Sequence, residues 1–117
     1  MVNGTPVQGD IIKINLNPKP GHEQCGFRPY ICLSHKIISD IANIAVFAPV
    51  SNTKRNYPLY VKLSNTKTTG SVLLDQVVTI DYNARNFEFV ESVPADMLSE
   101  LLAKVVLVFQ PNENKEK

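Results

Sequence analysis

The chain has 117 residues, 44% hydrophobic and 20% charged, with a net charge of +1. That is the size and balance of one globular domain, able to bury roughly two-thirds of its unfolded surface. No apolar run approaches the ~18 residues that cross a bilayer, and so small a net charge excludes a protein that grips polyanions in bulk by counterion release.

Residues 1–8, with Gly4 and Pro6, have neither the basic region nor the apolar core of a secretion signal, so a cytoplasmic protein is expected. Asp10 to Asn17 alternates, with Ile12, Ile14 and Leu16 on one side and Lys13, Asn15 and Asn17 on the other. That period of two predicts a half-buried strand, ended by Pro18 and Pro20.

The loop that follows, Gly21-His22-Glu23-Gln24-Cys25-Gly26-Phe27-Arg28-Pro29-Tyr30, packs an imidazole, a carboxylate, an amide, a thiol and a guanidinium together. Its glycines let the backbone turn, and Pro20 and Pro29 are expected to keep it out of a regular ladder with either flanking strand. So many titratable groups exceed what a connector needs, and loops on rigid scaffolds are where function concentrates. A solvated hairpin loop is the alternative that chemistry alone leaves open. Cys25 and Cys32 lack a C-x-x-C spacing or a histidine pair; they read as free thiols, with neither a metal nor a cofactor expected.

Tyr30 to Leu33 suits a second strand, Ile37 to Asn43 fits strand or helix, and Ile44 to Ala48 reads as a central strand closing at Pro49. Ser51 to Asn56 is a polar loop with turn formers, made locally basic by Lys54 and Arg55. Leu59, Val61 and Leu63 alternate with Tyr60 and Lys62 in another strand, and Ser64 to Gly70 is a turn. Strands follow at 71–74, 77–80 and 87–90. The period changes at Pro94, which fits a first helical position after a cap at Ser92 or Val93. Leu98, Leu101, Leu102, Val105 and Phe109 then form the stripe of an amphipathic helix. Burying four such side chains is worth at most roughly 6–12 kcal/mol. The expected organisation is one domain over 1–110 and a solvated tail over 111–117: a small antiparallel β-barrel, or a half-open sheet, closed by one C-terminal helix.

The loop string, with Gly9-Asp10-Ile11, Thr69-Gly70, Asp75-Gln76, Thr79-Ile80-Asp81, Ala84-Arg85 and Val93-Pro94 in this order, resembles the MazF/PemK (Kid) toxin family from about Gly9 to Phe109. The resemblance implies an SH3-like antiparallel barrel of the PemK/CcdB kind and a homodimer. It also implies an mRNA interferase toxin whose labile MazE/PemI-like antitoxin lays an acidic, disordered tail across the RNA site. Arg28 matches the loop arginine that MazF-like members use in catalysis, and the partner threonine of that branch falls on Ser51. His22 and Asp75 match residues assigned catalytic roles in the PemK/Kid branch, but the arginine placed there two residues before the aspartate is Leu73 here, which favours an Arg28–Ser51 pair. His22 titrates near neutrality and Glu23 is the next candidate base. Gln24, Asn52, Lys54, Arg55, Asp75 and Gln76 are candidates for substrate contact. His35 reads as structural or exposed.

The implied reaction is metal-independent cleavage of single-stranded RNA by its own 2′-hydroxyl, leaving a 2′,3′-cyclic phosphate and a 5′-hydroxyl. It needs no protein nucleophile, in keeping with the lack of a convincing Ser-His-Asp set. Two other classes are weighed against it. A CcdB-like gyrase poison would want a Trp near its C-terminus, whereas this chain has none and runs Val108-Phe109-Gln110-Pro111. A non-catalytic SH3-like binding module would be indifferent to Arg28→Ala.

Overall fold

The computed structural model describes residues 4–16 and 27–112. Seven strands make one antiparallel sheet: β1 (Asp10–Asn15), β2 (Phe27–Cys32), β3 (Ala45–Ser51), β4 (Tyr60–Lys62), β5 (Ser71–Leu73), β6 (Val78–Ile80) and β7 (Phe87–Ser92). Their order is β4-β5-β3-β2-β1-β7, with β6 attached to β3. The sheet is therefore open, with β4 and β7 at its ends, and the expectation of a barrel is corrected to a half-open sheet.

β3 is the hub. One flank carries β2 through Phe47 to Pro49; the other carries β6 along Ala45 to Phe47 and then β5 along Val50 and Ser51. The strand does not close at Pro49 as expected. Pro49 falls in the gap where the second flank changes from β6 to β5, so its missing N–H removes no ladder bond on that side. Pro29 likewise lies inside β2, paired with Lys13, where the pairing with β3 has not yet begun. A proline is tolerated where a strand has one partner only.

Two apolar layers form on opposite faces. Ile11, Ile31, Ala48, Val50, Val72 and Leu74 belong to the first, which is covered by α2 (Ala95–Val105) through Met97 and Leu101, with Leu98, Leu102 and Val105 packed partly against it. Ile12, Ile14, Cys32, Phe47, Ile80, Tyr82 and Phe87 belong to the second. Burial pushes the Cys32 thiol up, against hydrogen bonding to Ser34 that lowers it, so it stays a protonated core thiol.

The helix begins one residue later than expected. Pro94 is the cap rather than the first helical residue, no side chain caps the end, and the Asp96 carboxylate accepts the Met97 N–H at 2.9 Å. Phe109 departs from the predicted stripe: the α-helix gives way to a 3-10 turn over Val106–Phe109, the change of pitch carries the ring off the core face, and it is 73% exposed. The undecided stretch is a short helix, α1 (Lys36–Ala42), whose N-cap is His35, its Nδ1 accepting the Ile37 N–H at 3.1 Å. The chain thus has two α-helices among the described residues, not one.

Candidate functional site

Directly paired residues in a sheet share a face, with Cβ atoms ~5 Å apart. Ser51, the last residue of β3, pairs with Ser71 of β5, and Ser71 pairs with Lys62 of β4. These side chains make a row across three strands. On the other flank β2 pairs Tyr30 with Pro49. By the alternation of β2, Arg28 shares the face of Tyr30, two residues before the pairing with β3 begins. Arg28 is exposed and sits beside Tyr30: burial pushes the Tyr30 hydroxyl up, and the Arg28 guanidinium pulls it part of the way back. The paired row therefore reads Ser51, Ser71, Lys62, with Arg28 on the same face of the neighbouring strand β2.

A groove of about 470 Å³ adjoins this row, lined by Asn52, Thr53, Lys54, Lys62, Thr69, Gly70 and Ser71. That volume lies in the range of clefts that hold small ligands. Gly70 sets one wall. Its φ of +119° suits glycine alone, and a Cβ there would stand 2.8 Å from the Ser51 carbonyl oxygen. The Gly70 carbonyl accepts the Leu63 N–H at 2.9 Å, closing the β4–β5 hairpin that carries Lys62 and Ser71.

Among the expected residues, Asn52 and Lys54 line the groove, Ser51 pairs with Ser71 beside it, and Arg28 lies on β2 outside the lining. Arg55 is turned aside, its guanidinium 5.6 Å above the Tyr57 ring, which in turn meets Tyr60 edge-on at 4.9 Å. Asp75 and Gln76 are exposed in the 3-10 turn between β5 and β6 and do not line the groove. His22, Glu23 and Gln24 lie outside the described residues. Among the described residues no three of His, Cys, Asp or Glu converge on a point that could hold a metal ion.

Lys62, Thr69 and Ser71 were missed by sequence reasoning. The alternation of β4 already turns Lys62 away from Leu59, Val61 and Leu63, but which strand lies alongside is not written in a strand of three residues. Arg85 has an architectural part instead: its guanidinium donates to the carbonyls of Asn15 and Leu16 at 3.3 and 3.2 Å, pinning the end of β1 where the first loop departs.

Similarity to known proteins shows the family and the fold. The model for the PemK-like, MazF-like toxin of type II toxin–antitoxin systems matches residues 7–109. Endoribonuclease toxin MazF of Escherichia coli K12 is 31% identical over 100 residues, covering 86% of this chain and 90% of that protein. Endoribonuclease PemK of Escherichia coli is 33% identical over 103 residues, covering 84% of this chain and 77% of that protein. Among solved structures, MazF from Deinococcus radiodurans superposes with a TM-score of 0.76 at 30% identity, covering 92% of this chain and 98% of the other. The same organism's MazE–MazF complex in a third crystal form superposes at 0.78 with 27% identity, covering 91% and 97%.

Proposed function

The chain belongs to the family of PemK-like, MazF-like toxins of type II toxin–antitoxin systems, and from that premise we infer an endoribonuclease that cuts single-stranded RNA and is silenced by a cognate antitoxin. The observation that supports the mechanism is the row of Ser51, Ser71 and Lys62 beside a groove, with Arg28 on the same face of β2.

In the reaction the 2′-oxygen of the substrate loses its proton and bonds to the adjacent phosphorus. The bond from phosphorus to the 5′-oxygen breaks, and that oxygen takes up a proton. The products are a 2′,3′-cyclic phosphate and a 5′-hydroxyl. Negative charge grows on the non-bridging oxygens in between. A planar guanidinium matches a phosphate bidentately, so Arg28 stabilises that charge. A guanidinium is too strong a base to shuttle protons; His22 and Glu23, which the sequence sets in the preceding loop, are the candidates for moving protons. The Ser51 hydroxyl donates to a non-bridging oxygen. Lys54 and Lys62 hold neighbouring phosphates, Asn52 contacts a base, and RNA continuing past the end of β5 meets Asp75 and Gln76.

The relatives' names support the substrate and the antitoxin: two are called endoribonucleases, and MazE–MazF complexes are among the structural neighbours. A homodimer working in the cytoplasm completes the reading. Among the described residues no helix is long and apolar enough to cross a membrane.

Because the nucleophile belongs to the substrate, the 2′-hydroxyl is what separates RNA from DNA here. One 2′-deoxy substitution at a mapped cut site should abolish cleavage there, while EDTA should leave the all-ribose substrate cut at an unchanged rate. Equal cutting of the deoxy substrate would overturn the mechanism.

A further inference from the structure

The groove wall is held from the far end of the sheet. Glu91 of β7 accepts the Lys67 N–H at 3.0 Å on one carboxylate oxygen, and the Thr68 N–H and the Thr68 hydroxyl at 2.7 Å each on the other. The register of β7 aims it there: Ile11 pairs with Glu91 and Ile12 with Phe89, leaving Val90 as an extra residue. Such a bulge re-aims the side chains after it. Within the turn the Thr66 hydroxyl donates to the Thr68 carbonyl at 2.7 Å, and Asn65 sits at φ 59°. Thr69, Gly70 and Ser71 follow directly and line the groove. β7 and the β4–β5 hairpin lie at opposite ends of the open sheet, so this one carboxylate spans what strand pairing leaves unjoined.

We propose that Glu91 is a positioning residue for RNA binding, setting the wall of the groove through Lys67 and Thr68 without touching substrate. The proposal rests on the reading that the groove holds RNA. A carboxylate with two acceptor oxygens serves three donors at once. The amide of Glu91→Gln presents an N–H₂ where one oxygen stood, facing donors with a donor. The turn carrying Thr69 to Ser71 loosens, and RNA bound against Ser71 and Lys62 loses its fixed wall. Chemistry at Arg28 and Ser51, on the β2–β3 side, is left alone once substrate is bound.

The test compares wild type, Glu91→Gln, Glu91→Asp and Lys62→Ala on a fluorescent single-stranded RNA carrying one mapped cut site, with amide hydrogen exchange of residues 64–72 measured in parallel. Glu91→Gln should raise KM about ten-fold, the worth of one lost charge-assisted hydrogen bond, with kcat within two-fold. Exchange at Lys67 and Thr68 should accelerate while α2 stays protected. Glu91→Asp, which keeps the carboxylate one methylene short, should recover part of the KM. If Lys62→Ala raises KM and Glu91→Gln does not, the positioning role is overturned while the groove reading stands. If neither moves KM, the groove reading fails. A fall in kcat with KM unchanged, or exchange at Lys67 and Thr68 that matches wild type, overturns the proposal as well.

Discussion

At Gly70 the backbone holds φ +119° with the Ser51 carbonyl 2.8 Å from where a Cβ would be, so an added methyl meets both a disfavoured conformation and a backbone atom that cannot yield. Gly70→Ala should cost about 1–3 kcal/mol of stability, read by urea unfolding, and should weaken cleavage more than the stability loss explains because Ser51 is the atom group displaced. At Glu91 the sign is set by the turn it holds. Burial raises its carboxyl, but hydrogen bonds from the Thr68 hydroxyl and from the Lys67 and Thr68 amides, with the Lys67 charge, outweigh it and leave the group below its ordinary 4.5. A carboxyl depressed in the fold contributes stability that is complete above its unfolded pKa and lost as pH falls through its folded one. Between pH 6 and 3, wild type should therefore lose stability below about 4.5 more steeply than Glu91→Gln; parallel unfolding curves would contradict this. Single residues were only partly legible in the sequence. Arg28 and Ser51 stood out by chemistry and resemblance, whereas Glu91, just past the strand expected at 87–90, carries no local signal, because its three donors lie more than twenty residues away.

The elements were easier to read where a period ran long. The alternation that starts at Ile12 lies in β1, which ends at Asn15, short of the expected Asn17, and the stripe from Leu98 to Val105 became the core-facing side of α2. Errors gathered at prolines and at element ends. Pro49 and Pro29 lie inside strands because each occurs where one flank of the ladder is unoccupied, a fact about neighbours that the local sequence does not carry. Phe109 kept the helical spacing on paper but lies beyond the change to a 3-10 turn. The packing makes a plain prediction: Leu101 is fully buried between α2 and the first apolar layer, so Leu101→Ala should cost about 2–5 kcal/mol. Phe109→Ala, with its ring 73% exposed, should stay within about 0.5 kcal/mol in the monomer. Denaturant midpoints of the two variants check both.

For the whole molecule, the open sheet explains why the functional face is where it is. β3 changes partner from β6 to β5 near Pro49, and the chain leaving its end at Ser51 forms the loop of Asn52 to Lys54. Ser51, Ser71 and Lys62 thus come from three strands whose pairing aligns them, and Arg28 comes from β2 on the same face. Family resemblance pointed to Arg28 and Ser51; strand alternation sets both on one face of the sheet. The central claim is that the guanidinium of Arg28 stabilises the phosphate as the 2′-oxygen attacks. Primer extension on a long RNA, comparing wild type with Arg28→Ala at equal folded concentration, tests it most directly. Cuts should fall at least about 100-fold in Arg28→Ala, the loss seen when one transition-state donor is removed, at every site alike. An unchanged cutting pattern and rate in Arg28→Ala would contradict the account.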